Sequence, residues 1–152
     1  MSLVVASPVA GATVPMSEVP DPVFAEAMVG PGVAIQPGGG RQDAVAPVDG
    51  TVVTLHPHAF VIAAADGKGV LVHLGIDTVK LKGEGFTLHV AKGDPVVAGQ
   101  PVVGWDPVAV SAAGYDPVCP VIALDASADR LTELHDVGPV GAGAMLFALS
   151  SG

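Results

Sequence analysis

Two stretches decide the fold: Leu55-His56-Pro57-His58-Ala59-Phe60-Val61-Ile62 and Gly69-Val70-Leu71-Val72-His73-Leu74-Gly75-Ile76-Asp77-Thr78-Val79. Asp66-Gly67-Lys68-Gly69 links them, so the two apolar runs read as strands of one hairpin. In the second run Val70, Val72 and Leu74 alternate with Leu71, His73 and Gly75, which puts the histidine on the opposite face from the valines. In the first, His58 begins an alternation with Phe60 and Ile62. A hairpin brings cross-strand side chains on one face into contact. Two facing imidazoles mean nucleophilic phosphoryl chemistry, a metal, or a packed structural pair. Gly75 removes a side chain where another backbone, or a phosphoryl group, needs to approach.

Working outward, the composition bounds the class. The chain has 152 residues, enough for one domain with a full core, and we expect a single domain over 1–152. Half the residues are hydrophobic but only 4% are aromatic; Val, Ala, Gly and Pro dominate, which favours short β segments joined by turns. A net charge of -9 argues against nucleic acid, whose phosphates need Lys and Arg, and suits a basic protein partner. Cys119 is the only cysteine, which fits a reducing compartment. No Lys or Arg precedes Arg41, so the apolar start lacks the basic region of a signal peptide; no apolar run approaches a membrane span. The expectation is a cytoplasmic chain without membrane insertion.

Helical signals are short: Asp106-Pro107 to Gly114, Asp21-Pro22 to Gly30, and Ser127 to His135. The fold class is therefore all-β with small helices. Ser7-Pro8-Val9-Ala10-Gly11-Ala12-Thr13-Val14 resembles Ala46-Pro47-Val48-Asp49-Gly50-Thr51-Val52-Val53, and Gly93 to Val103 has related spacing. These similarities are either shared turn chemistry or a quasi-repeated sandwich of strand–turn–strand units.

A longer ordered pattern carries a family resemblance. Val19-Pro20-Asp21-Pro22-Val23-Phe24 through Val29-Gly30-Pro31 to Pro37 comes first, then Val45 to Gly50, His58-Ala59-Phe60, Val72 to Val79, and Leu81-Lys82-Gly83-Glu84-Gly85-Phe86. In this order, from about Ser7 to Leu146, the chain resembles the glucose-family enzyme IIA component of the bacterial phosphoenolpyruvate-dependent sugar phosphotransferase system. The resemblance implies an antiparallel β-sandwich of the barrel-sandwich hybrid type, built on a duplicated hybrid motif. It implies a phosphotransferase component that carries a phosphohistidine. His73 would take the phosphoryl group from the carrier protein HPr and pass it to a cysteine on the IIB domain of a sugar permease. His58 would be the second active-site histidine, supporting the phosphorylated ring. Asp77, with Asp21, would form an acidic rim, and Phe24, Val29 and Val79 an apolar docking collar. With no permease or IIB segment in the chain, the free-standing form is expected. One departure stands out: where the family often has Thr, two positions before the supporting histidine, this chain has His56, which either takes over the orienting role or points to solvent.

The strongest rival is a zinc centre. His56, His58, His73 and Asp77 are zinc ligands by type, and His-x-His with His-x-Gly-x-Asp occurs in lysostaphin-type metallopeptidases. There, however, the two elements come in the reverse order. A zinc ion at His58 and His73, completed by a carboxylate and water, is the narrower metal reading; no cofactor is required by the phosphocarrier chemistry. A biotinyl- or lipoyl-like carrier would need an exposed tip lysine, and Lys68 lacks the flanking signature. His89, His135, Trp105 and Glu84 receive no role, and Cys119 reads as a small buried hydrophobe.

Overall fold

The computed structural model describes residues 2–25, 30–124, 126, 128–135 and 137–150. The first half of the strands are β1 (Ser2–Ala6), β2 (Gly11–Val14), β3 (Gly32–Pro37), β4 (Gln42–Val45), β5 (Gly50–His56), β6 (Ala59–Ala63) and β7 (Gly69–His73). The second half are β8 (Thr87–Leu88), β9 (Pro95–Val96), β10 (Pro101–Trp105), β11 (Cys119–Ala123), β12 (Leu131–Thr132), β13 (Pro139–Val140) and β14 (Met145–Ser150). The α-helices are one turn or little more: α1 (Pro22–Ala25) and α2 (Pro107–Ala112). The strands form an eight-stranded sheet in the order β13-β2-β3-β11-β7-β6-β5-β9 and two three-stranded sheets, β1-β14-β12 and β4-β10-β8. All of the strand pairs are antiparallel, as expected.

The quasi-repeat is real. Ser7 to Gly11 and Ala46 to Gly50 each carry the chain from a three-stranded sheet into the large one. They clasp one another: Ala6 N–H donates to Pro47 C=O and Val45 N–H to Pro8 C=O, both at 2.8 Å. Ser7 C=O accepts from Gly143 N–H at 2.8 Å, and Ala46 C=O from Gly99 N–H at 2.9 Å. Gly143 and Gly99 have matching left-handed φ values of 86° and 90°. Val140 pairs with Gly11 as Val96 pairs with Gly50. The stretch Gly93 to Val103 is thus the twin of a later segment around Gly138 to Leu146, not a third copy of the first two. The large sheet reads the same from both ends and its halves meet where β7 pairs with β11. One half, from β4 to β10, is continuous in sequence and inserted between β3 and β11 of the other.

The core lies between the sheets. Val70, Val72 and Leu74 from β7 and its extension are fully buried with Phe60, Ile62, Val121, Trp105 and Phe147. Each such side chain contributes about 1.5–3 kcal/mol of burial. The apolar alternation of β7 is therefore as read from sequence, with His73 on the outer face.

Three boundaries differ. Leu55 to Ile62 is two strands, because Pro57 cannot donate to a ladder and turns the chain between β5 and β6. His58 accordingly sits in that turn and does not share the buried face of Phe60 and Ile62. The run from Gly69 to Val79 stops being strand at His73, where Gly75 turns it into a 3-10 helix at Thr78–Leu81. Of the candidate helix from Ser127 to His135, residue 127 lies outside the described residues and 128–135 form no α-helix: a 3-10 turn at Ala128–Arg130 leads into β12, whose Leu131 is drawn into pairing with β14. Asp106 caps α2 as its sequence requires, accepting from Val108 N–H at 3.0 Å and Ala109 N–H at 3.3 Å. For the candidate helix from Asp21 to Gly30, Pro22–Ala25 is helical and 26–29 lie outside the described residues.

Candidate functional site

The turn between β5 and β6 and the end of β7 meet at one point. In the ladder Ala59 lies opposite His73, and Leu74 N–H donates to His58 C=O at 2.7 Å. That backbone bond fixes His58 beside the residue that follows His73. The two rings are 5.3 Å apart, edge to face at 68°. The Phe24 ring lies 5.2 Å from His73 on another side, tilted by 57°. His56 is exposed, and its ring stacks on His58 at 5.6 Å and 23°. His56 thus faces solvent with its ring against that of His58.

Gly75 is what aims His73. Its φ of +84° belongs to the left-handed region, and a Cβ built there would lie 2.6 Å from Thr78 Cγ2 and 3.0 Å from Asp116 O. The turn is tightened by buried Thr78, whose Oγ1 donates to Leu74 C=O at 2.7 Å. It swings the Gly75 carbonyl onto His73 Nδ1 in a short hydrogen bond. A carbonyl only accepts, so Nδ1 carries the ring proton, and the neutral ring keeps its lone pair on Nε2. Burial pushes the His73 pKa below its ordinary 6.5, opposed by the Gly75 carbonyl and by the carboxylates of Asp21 and Asp77. His58 is also lowered, first by burial and then by the neighbouring His73 and His56 rings. Both imidazoles are thus predominantly neutral at pH 7.

Asp77 is exposed, in a left-handed conformation at φ 60°, and Val79 beside it is 57% exposed. Phe24 is buried at the end of α1, near Asp21. Val29 lies outside the described residues. Among the described residues no three His, Cys, Asp or Glu side chains converge to hold a metal ion, so the peptidase-like centre of His56, His58, His73 and Asp77 does not assemble. The narrower zinc reading has two imidazoles to offer, one of which has Nδ1 already committed to Gly75.

Elsewhere, His89 pairs with Asp43 at 2.9 Å on the surface, and Trp105 is packed against Phe86. His135 is not on a helix; its N–H donates to Leu146 C=O. Glu84 is an exposed turn residue. An apolar groove of about 710 Å³ lies at the far end of the β6–β7 hairpin, lined by Leu3, Val4, Val48 and Ala64, with the Asp66–Lys68 pair at 3.0 Å on its rim. That pairing also occupies the one tip lysine a carrier would need.

The phosphoenolpyruvate-dependent sugar phosphotransferase system EIIA 1 family model matches residues 3–128. The chain belongs to that family. It is 37% identical over 137 residues to a glucose-specific EIIA component of Oceanobacillus iheyensis, covering 89% of this chain and 81% of that protein. It is 39% identical over 149 residues to a beta-glucoside-specific EIIBCA component of Bacillus subtilis, covering 97% of this chain but 24% of that longer protein. The solved glucose permease IIA from Mycoplasma capricolum superposes with a TM-score of 0.90 at 36% identity, over 99% of this chain and 97% of that one. Family and fold together carry a phosphocarrier role in the sugar phosphotransferase system. They leave the metallopeptidase alternative without support. No helix of the described residues is long and apolar enough to cross a membrane.

Sequence reasoning missed two residues that shape this site. They are Thr78, whose Oγ1 tightens the turn at Gly75, and Asp116, whose C=O accepts from Ile76 N–H. The signal for Asp116 was available: Asp-Pro is a turn-initiating dipeptide.

Proposed function

We propose that His73 Nε2 is the phosphoryl acceptor of a cytoplasmic IIA domain, loaded by phospho-HPr and discharged to a cysteine of a permease IIB domain. The observation that carries this reading is the Gly75 hydrogen bond to His73 Nδ1, which leaves Nε2 as the one ring nitrogen with a free lone pair. In the loading step that lone pair forms the new N–P bond, the bond from phosphorus to the donor nitrogen breaks, and its electron pair stays with the donor. Nδ1 keeps its proton, so positive charge develops on the His73 ring. The Gly75 carbonyl and the Asp21 and Asp77 carboxylates, which favour the charged ring, stabilise that development. His58, neutral and edge-on, donates its ring N–H to a phosphoryl oxygen. Phe24 and Val79, with Val29, supply the apolar collar that limits hydrolysis and receives donor and acceptor in turn. The relatives fit this assignment: one is named a glucose-specific EIIA component, and another carries B and C components in the same chain.

The test is intact-mass measurement after incubation with phosphoenolpyruvate, enzyme I and HPr, with and without a chelator. Wild type gains one phosphoryl group in both conditions, His73→Ala gains none, and His58→Ala loads but fails to discharge to a IIB domain. Loading of His73→Ala at the wild-type level would overturn the assignment.

A further inference from the structure

The peptide that orients His73 is itself held from across the site. Gly75 C=O and Ile76 N–H are the two ends of one peptide plane. The carbonyl end accepts His73 Nδ1–H, and the amide end donates to Asp116 C=O at 2.8 Å. Asp116 is fixed by its own side chain, whose Oδ1 accepts from Val118 N–H at 2.9 Å. This is an Asx turn with Pro117 at its centre, and the proline ring restricts the backbone further. The preceding peptide is secured separately, since Leu74 C=O accepts from Thr78 Oγ1, and on the Asp116 side the buried Cys119 Sγ donates to Pro117 C=O at 3.4 Å. Burial dominates at that thiol and pushes its pKa far up, so it stays protonated and inert. The result is a chain of contacts from an exposed carboxylate to the reactive ring: Asp116 side chain, Asp116 carbonyl, Gly75–Ile76 peptide, His73 Nδ1.

We propose that Asp116 is a positioning residue for phosphoryl transfer, acting through its turn on the tilt of the Gly75–Ile76 peptide and so on the tautomer of His73. It touches no reacting atom. Its charge is not the operative property, since the carboxylates that act on the His73 ring are Asp21 and Asp77. Because the Asp116 residue is exposed, its side chain can be changed without opening the core. The inference rests on His73 as the acceptor, and its primary readout is independent of phosphorylation.

That readout is nitrogen-15 NMR of the His73 ring, which distinguishes the Nδ1–H from the Nε2–H tautomer. The second is the rate of phosphoryl uptake, from phospho-HPr and from the small donor phosphoramidate. In Asp116→Ala the Nε2–H tautomer gains population and uptake slows about fivefold from both donors, the kinetic equivalent of one neutral hydrogen bond. Asp116→Asn keeps an oxygen acceptor for Val118 N–H and restores both readings. A wild-type tautomer in Asp116→Ala overturns the proposal. So does equal impairment in Asp116→Asn, which would make charge the cause, and so does slowing with phospho-HPr alone, which would place Asp116 at the docking surface. If instead His73→Ala loads normally, the acceptor assignment fails, while the tautomer measurement still decides whether the turn orients the ring.

Discussion

Replacing Gly75 with alanine perturbs stability and site geometry together, by amounts that can be worked out separately. The left-handed backbone at φ +84° costs an L-residue about 1–2 kcal/mol. The new methyl also arrives 2.6 Å from Thr78 Cγ2. Thr78 is β-branched and fully buried, so it relieves that clash only by rotating χ1, which breaks its hydrogen bond to Leu74 C=O. Losing that bond adds about 1–2 kcal/mol, for a total of about 2–4 kcal/mol. In a chain of this size that lowers the melting temperature by about 5–15 °C. Gly85→Ala is the internal control: its φ is +87°, but nothing lies within 4 Å of its Cβ position, so it carries the backbone strain alone, about 1–2 kcal/mol. The assay is thermal unfolding of both variants, followed by intact-mass measurement of phosphoryl uptake well below both transitions. Gly75→Ala should melt lower than Gly85→Ala and load more slowly, because the carbonyl that holds His73 Nδ1 is displaced. Equal melting temperatures with unimpaired loading would refute the view that this glycine is there for space and aim.

Two further outcomes follow from the same geometry. His73 and His58 are both depressed below 6.5 in the fold, so the unfolded chain binds protons that the native state refuses; their contribution is complete above 6.5 and is lost as pH falls through 6.5 toward the folded values. At constant ionic strength the wild-type melting temperature should drop more steeply between about pH 7 and pH 5 than that of His73→Asn, and parallel curves would contradict the assigned shift. At the start of α2, Asp106→Ala removes the acceptor for Val108 and Ala109 N–H and should cost about 1 kcal/mol, or about 2–4 °C in melting temperature, whereas Asp106→Asn costs less; chemical or thermal unfolding checks both.

The legible parts of the sequence were those with a local physical signature. The alternation of Val70, Val72 and Leu74 placed β7 and the outward His73, and Asp106-Pro107 placed a capped helix. The pairing of His58 with His73 was correct in outcome but not in route: a facing pair of strand residues was expected, whereas His58 reaches His73 from a turn beside Ala59. Period-2 patterning does not distinguish a strand residue from the turn residue next to it. Ser127 to His135 failed for a different reason, since its helical grammar lost to edge pairing of Leu131 and Thr132 on β14, a contact remote in sequence. The Asp116-Pro117 dipeptide announces a turn, but the contact of that turn with Ile76 joins two loops far apart in the chain through main-chain atoms, which no residue-type pattern reports.

The duplication sets two equivalent positions on either side of the β7–β11 seam, and only one of them carries the paired imidazoles. Gly11 packs on Gln36 and Pro37 as Gly50 packs on Ala63 and Ala64, which makes Ile35 the counterpart of Ile62. Ile35 pairs with Cys119 and Ile62 with Val70, so Ile122 occupies in β11 the position that His73 occupies in β7. By the same offsets Pro31 stands where His58 stands, and Leu124 where Gly75 stands. The twin position thus lacks the histidine, its ring neighbour and the glycine that turns a carbonyl onto the ring. Its residues have been put to another use. Ile122 is buried with Met16, Val19, Phe24, Ala34, Ile76 and Val118 in a separate apolar cluster. That cluster seats Phe24, whose ring lies against His73. One half of the repeat carries the paired imidazoles at the seam, and the other, with apolar residues at the equivalent place, carries the apolar wall beside them.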